Sequence, residues 1–294
     1  MYGEEDKGGI YKEGKPLTFA LVVNARITLH RRGNMRNYQR KCKYLLLPSL
    51  LGILIFYAVP FVRVVYYSLI ENQFSKKWVG FENYNTLFHN PYFRLAMKNS
   101  LLLILVGVPV LVTGAMLVSV LFLKLNKRLK RLRLAFILPM LLPTAGIILA
   151  WRLVFAVGES SVPVYALFIW KNIGIAVILC SAAFSLLDGE LYEAAKLDGA
   201  NGMKLHWYLT LPLLAPTLFF VTLLGIVYSF RIFRESYLYY GSNYPPDAGY
   251  SLQYYMNNHF MKLNYQYLAS GAVITTILIC VIVAVGIRLQ RRFE

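Results

Sequence analysis

The sequence predicts an all-α integral membrane protein with six transmembrane helices, and three observations carry that reading. Of 294 residues, 57% are hydrophobic and only 15% are charged, where soluble domains carry about 25% charged residues. The apolar residues gather into six runs, each near the roughly 20 needed to cross a bilayer as a helix. The runs also lack the two-residue alternation of a membrane barrel, which leaves helices as the way to satisfy the backbone in hydrocarbon.

Taken in order, residues 1–43 read as a polar, increasingly basic cytoplasmic segment, and residues 44–294 as the membrane domain. Gly9-x4-Gly14-Lys15 imitates the start of a phosphate-binding loop. Pro16 stands where the magnesium-holding Ser or Thr belongs and no strand precedes Gly9, so nucleotide binding is not expected there. The stretch 17–29 is apolar but too short to span, and Asn24 and Arg26 interrupt it, which suggests an interfacial helix. The charged region is too long, and the apolar part ill-placed, for a cleavable signal peptide. The spans fall near 44–70, 99–123, 134–156, 163–187, 213–232 and 267–289. Pro48, Pro60, Pro109, Pro139, Pro143 and Pro216 lie inside them, so kinks are expected, with neighbouring helices or local waters taking up the freed carbonyls.

Charge sets the orientation. The N-terminal segment, the loop KLNKRLKRLR after span two, the connection between spans four and five, and the tail together hold 21 Lys and Arg residues, against five in the opposite connections. The positive-inside rule puts both termini, the basic loop and the four-to-five connection in the cytoplasm. The same asymmetry explains the net charge of +17 better than nucleic acid does, because the basic residues flank spans and form no aromatic-interleaved face. Cys42, Cys180 and Cys280 are far apart, so neither a metal site nor a disulfide framework follows; the latter two read as small buried hydrophobes.

None of the six predicted spans contains Asp or Glu, which argues against a proton- or sodium-coupled carrier, since such carriers bind the coupling ion on an intramembrane carboxylate. No catalytic motif is visible either. Arg63, Arg152 and Lys171 do enter spans, and snorkelling to the interface is the expected behaviour of their long stems. The end of span five is more pointed. Phe230, Arg231, Phe233, Arg234 and Glu235 offer donors, an acceptor and aromatic faces, and Arg231 and Glu235 stand at a spacing that allows a helical ion pair. The tyrosine- and asparagine-rich connection 235–266 is expected to anchor at the interface or pack on itself.

Residues 188–212, DGELYEAAKLDGANGMKLHWYLTLP, form the longest polar interruption in the hydrophobic C-terminal half. Asp188 is a natural N-cap, and Glu190 and Glu193 sit near the positive end of the helix that follows. Leu191, Ala194, Ala195 and Asp198 recur at three- and four-residue spacing, the alanines leaving a thin face for close packing. Gly199 stands where a left-handed closing residue belongs. Asn201 opens a second short helix, and Pro212 begins the next apolar segment. The expectation is a helical elbow between two spans.

Glu193-Ala194-Ala195, then Gly199, then Leu209-x-Leu211-Pro212 resemble the E-A-A-x3-G-x9-I-x-L-P signature of ABC importer membrane subunits. The wording YEAAKLDGA … TLPLLAP is similar to the binding-protein-dependent sugar permeases, as is WVGFENYNTLFHNPYF after span one. Leu209 replaces the usual isoleucine, and His206 stands where sugar permeases often have a phenylalanine docked into the ATPase. The resemblance covers roughly residue 44 to the C-terminus. It implies a type I ABC importer permease fold whose cytoplasmic coupling helix lies between spans four and five. It further implies a non-catalytic subunit of a bacterial cell-membrane importer for a sugar or oligosaccharide. Glu193, Ala194, Ala195, Asp198, Gly199, His206, Leu209 and Pro212 would then couple to the ATPase, and Phe230, Arg231, Phe233, Arg234 and Glu235 would line a substrate path or gate. The implied partners are a second homologous permease, two ATP-binding subunits, an extracellular or periplasmic solute-binding protein, the sugar and membrane lipid. ATP and magnesium would belong to the partner subunits, and no cofactor or metal to this chain. The rival readings are an importer of a non-sugar solute and a stand-alone secondary carrier.

Overall fold

The computed structural model describes residues 46–124 and 135–291, and among these every regular element is a helix. The basic N-terminal segment, its false phosphate loop, Cys42 and nearly all of the basic loop after span two lie outside the described residues. Five helices are long and apolar enough to cross a membrane: α1 (Leu46–Ser68), α3 (Pro91–Phe122), α6 (Val162–Ser185), α9 (His206–Tyr240) and α11 (Tyr265–Gln290). The predicted third span is broken instead of continuous. Its two parts, α4 (Ala135–Leu141) and α5 (Thr144–Val154), meet at 106°; counted as one span, they bring the total to six. The break falls at Leu142-Pro143, where Leu142 adopts an extended backbone, the conformation a following proline imposes. The shorter helices are α2 (Glu82–His89), α7 (Gly189–Leu197), α8 (Gly202–Leu205) and α10 (Leu252–Met261).

Three of the long helices accommodate proline in one way. Wide turns occupy Leu54–Ala58, Leu103–Gly107 and His206–Thr210, each ending two residues before Pro60, Pro109 or Pro212. A proline ring clashes with the carbonyl four residues earlier, and a five-residue hydrogen-bond step widens the turn that would otherwise hold that clash. Val59, Val108 and Leu211 donate their N–H groups five residues back, to Leu54, Leu103 and His206. These are the expected distortions, in a form that leaves the helices unbroken.

The chain divides between Val62 and Arg63 into two compact units. Of the first, the described part is the opening of α1, in which no residue is buried; Leu46, Leu50, Phe56 and Tyr57 are among its exposed side chains. A helix apolar on all sides suits a hydrocarbon surround.

In the second unit, α6 packs against α3 and α9, and α3 against α9. Val108, Leu111, Leu167, Phe168, Val177, Leu214, Val221 and Ile226 are buried there. A Cβ on Gly225 would lie 2.8 Å from a Val108 methyl, so glycine sets how closely α9 approaches α3. At one end, α2, α10 and the starts of α3 and α11 form a polar-capped cluster. Asn90 caps α3 by accepting from the N–H groups of Tyr92 and Phe93 at 2.9 and 3.3 Å, with Pro91 in the first turn. Asn99 Nδ2 donates to the carbonyls of Asp247 and Tyr250, and Ser100 Oγ accepts the Leu252 N–H. Several tyrosines of the 235–266 connection turn inward: Tyr239, Tyr254 and Tyr255 are fully buried, Tyr255 edge-on to Phe93 at 5.3 Å.

His259 lies against Tyr255 and Tyr267, its ring centre 4.4 and 5.5 Å from theirs, and its buried Nδ1 has no hydrogen-bond partner. Burial, reinforced by nearby Lys262, holds its pKa below the usual imidazole value of 6.5. The unfolded chain therefore binds this proton more readily than the folded one. The contribution to stability is complete above the unfolded value and is lost as pH falls through the lowered folded value. Thermal midpoints of purified protein should drop between pH 7 and pH 5, and His259→Phe should flatten that slope. An unchanged slope in the variant would remove His259 from the account.

Candidate functional site

The elbow forms as its residues dictate. Asp188 Oδ1 accepts the Glu190 N–H at 3.0 Å and caps α7. At the other end the Gly199 N–H bonds to the Lys196 carbonyl at 3.0 Å and the Ala200 N–H to the Ala195 carbonyl at 2.9 Å, the paired closure of a Schellman turn. Gly199 is its left-handed residue, with φ of +83°. The Asn201 backbone carbonyl accepts the Lys204 N–H as α8 starts, and Pro212 lies in the first turn of the regular helix that continues α9. Tyr192, which sequence reasoning passed over, ties the two arms: its hydroxyl meets Thr210 Oγ1 at 3.0 Å, and Thr210 is buried. A lone tyrosine and threonine 18 residues apart carry no periodic signal, so only the turn reveals them as a pair.

The elbow's outer surface is open and apolar. Glu193, Ala194, Asp198, Gly199 and His206 are exposed, and Ala195 and Leu209 are half-buried. Leu186, Leu197 and Tyr208 are 86%, 90% and 82% exposed, and Trp207 and Leu191 add to the patch. Among the described residues no element covers these side chains, unlike comparable residues of the core.

The second site is a cavity of about 280 Å³ walled by the break in span three, the middle of α6 and the far part of α9. Met140, Leu142 and Thr144 come from the break, Lys171 and Asn172 from α6, and Tyr228, Arg231, Ile232, Arg234 and Glu235 from α9. Glu235 is buried and forms an ion pair with Lys171 across the helix interface; Lys171 also reaches Thr144 Oγ1 at 3.4 Å. Of the roles open to this cluster, the helical Arg231–Glu235 pair is not made, because Glu235 turns towards α6 while Arg231 stays exposed. Lys171, expected to snorkel, instead pairs with that buried carboxylate. The predicted span five, 213–232, holds no carboxylate, but the long helix that carries it runs on to Tyr240 and includes Glu235. Arg152 also has partners within the protein. Its guanidinium donates to the carbonyls of Leu238 and Tyr239 at 2.7–2.9 Å, neutralising the negative end of α9, which Gly241 closes at φ +68°. Phe230 and Phe233 are half-buried and pack against the hydrophobic core beside the cavity wall.

Residues 114–294 match the family described as the binding-protein-dependent transport system inner membrane component. The chain belongs to that family. It is similar to the arabinooligosaccharides transport system permease protein AraP of Bacillus subtilis, with 31% identity over 279 residues that cover 82% of this chain and 84% of AraP. It is also similar to the osmoprotective compounds uptake permease protein GgtC of Synechocystis, at 27% identity covering 84% of this chain and 96% of GgtC. The fold matches a crystal structure of a bacterial ABC transporter involved in the import of the acidic polysaccharide alginate, with a TM-score of 0.65 and 20% identity over 91% of this chain and 99% of that one. This permease is thus a multi-pass membrane protein, all-α in its described residues, with the fold its elbow signature implied.

The ion pair gives this permease a measurable signature. Its side chains are 14% and 9% exposed, and removing one partner of a buried pair strands a charge at a cost of about 3–5 kcal/mol. Lys171→Met and Glu235→Leu should each lower the thermal midpoint in detergent, while the double variant recovers most of the loss. Additive losses in the double variant would mean that the two residues contribute independently.

Proposed function

We propose that this permease is the membrane-spanning subunit of an ATP-driven importer that takes up a sugar or oligosaccharide delivered by an external solute-binding protein. The observation that carries the reading is the elbow. The full E-A-A, glycine and L-P spacing is folded as a capped helix, a left-handed turn and a second helix, with an exposed apolar surface immediately before span five. The names of the relatives support the solute class, since AraP is described for arabinooligosaccharides and another relative, LacF, for lactose. A neighbouring solved complex contains an alginate pentasaccharide-bound periplasmic protein, which supports the binding-protein partner.

In this reading a second homologous permease completes the translocation path, and two ATP-binding subunits hold the ATP and magnesium, which this chain does not bind. Both termini and the elbow face the cytoplasm of a bacterial cell, in agreement with the lysine and arginine asymmetry. Leu191, Leu197, Trp207 and Tyr208 then seat in a cleft of one ATPase, with Ala194 and Ala195 giving close approach and Glu193 and His206 polar contacts. Closing of the ATPase dimer displaces the elbow, and Tyr192–Thr210 and the rigid α9 carry that displacement to the cavity at its far end. The drive comes from contacts that differ between the open and closed ATPase. At the cavity, Arg231, Arg234 and Glu235 line the substrate path, with Phe230 and Phe233 fixing the wall behind them.

The carboxylate Glu235 is the one feature that favours a secondary carrier, but its pairing with Lys171 leaves it without the free charge that binds a coupling ion. Transport by vesicles holding the assembled complex separates the two readings. Uptake should require ATP inside and binding protein outside, and should ignore proton and sodium gradients. Full-rate uptake by this chain without nucleotide would defeat the proposal.

A further inference from the structure

The cavity's charge is unbalanced in a way that transport of a neutral sugar does not require. Three cations, Lys171, Arg231 and Arg234, line it against one carboxylate, and Lys171 already offsets that carboxylate's charge. Arg231 and Arg234 have no ion-pair or hydrogen-bond partner among the described residues, and both are exposed to the cavity side of α9. They stand three residues apart, where like charges repel along a helix face. A cleft of one sign with low-dielectric walls concentrates ions of the other sign. Guanidinium forks match carboxylate, sulfonate and phosphate oxygens in paired hydrogen bonds. The uncapped start of α5 adds to the same wall: Leu142 and Thr144 line the cavity, and no side chain caps the helix, so its positive end reinforces the two arginines.

We infer that the cavity receives an oxyanionic group, so that the solute passed by this permease is an acidic saccharide bearing a carboxylate, sulfonate or phosphate. Arg231 and Arg234 hold the oxyanion, and Thr144, Asn172 and Tyr228 offer polar atoms to the neighbouring hydroxyls. Lys171–Glu235 keeps the wall between α6 and α9 closed and stops Glu235 from competing for the arginines. The cavity lies just below the roughly 300–1,000 Å³ of complete ligand sites, which suits one charged sugar unit at a time. This inference rests on the importer reading above and narrows its substrate.

The test uses the complete importer in vesicles, with internal ATP and the binding protein outside. Matched probes are trigalacturonate against galactotriose, and sulfoquinovose and glucose 6-phosphate against glucose. At least one acidic probe should enter about tenfold faster than its neutral partner, the gain expected of one or two charge-assisted hydrogen bonds. Arg231→Gln with Arg234→Gln should erase that ratio, and the paired lysine variants should keep part of it. Which acidic probe is preferred tells carboxylate, sulfonate and phosphate apart. ATP-driven uptake of a neutral probe at an equal or greater rate overturns the inference and leaves the importer reading standing. No ATP-driven uptake of any probe counts against both. Should the glutamine variants fail to assemble, the wild-type acidic-to-neutral ratio decides alone.

Discussion

Gly199→Asp should abolish the proposed ATP-driven uptake while the permease remains folded in the membrane. The backbone at Gly199 sits at φ +83°, a region where a side chain costs about 1 kcal/mol or more. No atom lies within 4 Å of a Cβ built there, so the penalty is conformational and not steric. Aspartate also sets a negative charge beside the last carbonyls of α7, where the helix dipole is already negative. Relief comes from unwinding the closure, which moves Leu197 and the alanine face relative to α8. The elbow is exposed and remote from the core, so membrane insertion and the thermal midpoint should change little. Uptake should fall below detection, because coupling in the proposed mechanism depends on the elbow's shape. Gly199→Asn, a residue that tolerates the left-handed region, should keep much of the activity. Normal uptake by the aspartate variant, with protein levels matched by size-exclusion fluorescence, would show that the elbow transmits nothing.

What was legible in the sequence was local. Asp188, Gly199 and Pro212 announce their roles through neighbours within four residues, and each does in the structure what its type dictates. The spans were legible for a similar reason, since a run of apolar residues needs no partner to be recognised, although their ends were not. Span two begins at Pro91, eight residues before the predicted start, because Asn90 caps a helix whose first two turns are too polar to register as a span. The span-five helix continues past Ile232, with a one-residue turn there, for the converse reason: Arg234 and Glu235 depress hydropathy but do not end the helical path. Whether a charge in a span snorkels or pairs depends on what another helix presents. Lys171 and Glu235 are 64 residues apart in the chain and Arg152 and Tyr239 are 87, so no window along the sequence contains both members of either pair. Cys280 fails in the same manner. It is exposed where a buried small hydrophobe was expected, because composition does not say which face of α11 meets protein.

Gly174→Ala should remove nearly all folded permease, since its added methyl meets the closest contact of any described glycine. A Cβ at this position would fall 1.9 Å from the carbonyl oxygen of Phe136 and 2.5 Å from its carbon. Those are backbone atoms of α4, and a backbone cannot rotate aside as a flexible side chain can. The remedy is to lift α4 from α6 by more than an ångström. That movement would open the packing of Phe136 against Phe122, now edge-on at 5.7 Å, and shift the Leu142-Pro143 break that frames the cavity. Overpacking ordinarily costs about 1–3 kcal/mol where side chains can adjust, and a clash with rigid backbone belongs at or beyond the top of that range. Gly114→Ala is the matched control: it lies on α3 facing the same α6, and its Cβ would sit 3.6 Å from the Ile173 Cδ1, an ordinary contact. The control should extract from membranes with the wild-type yield and elution profile, while Gly174→Ala should aggregate or be degraded. If Gly174→Ala gives a monodisperse peak with an unshifted thermal midpoint, α4 does not cross α6 at this glycine. The broken third span would then need another arrangement, and the wall it lends to the cavity would go with it.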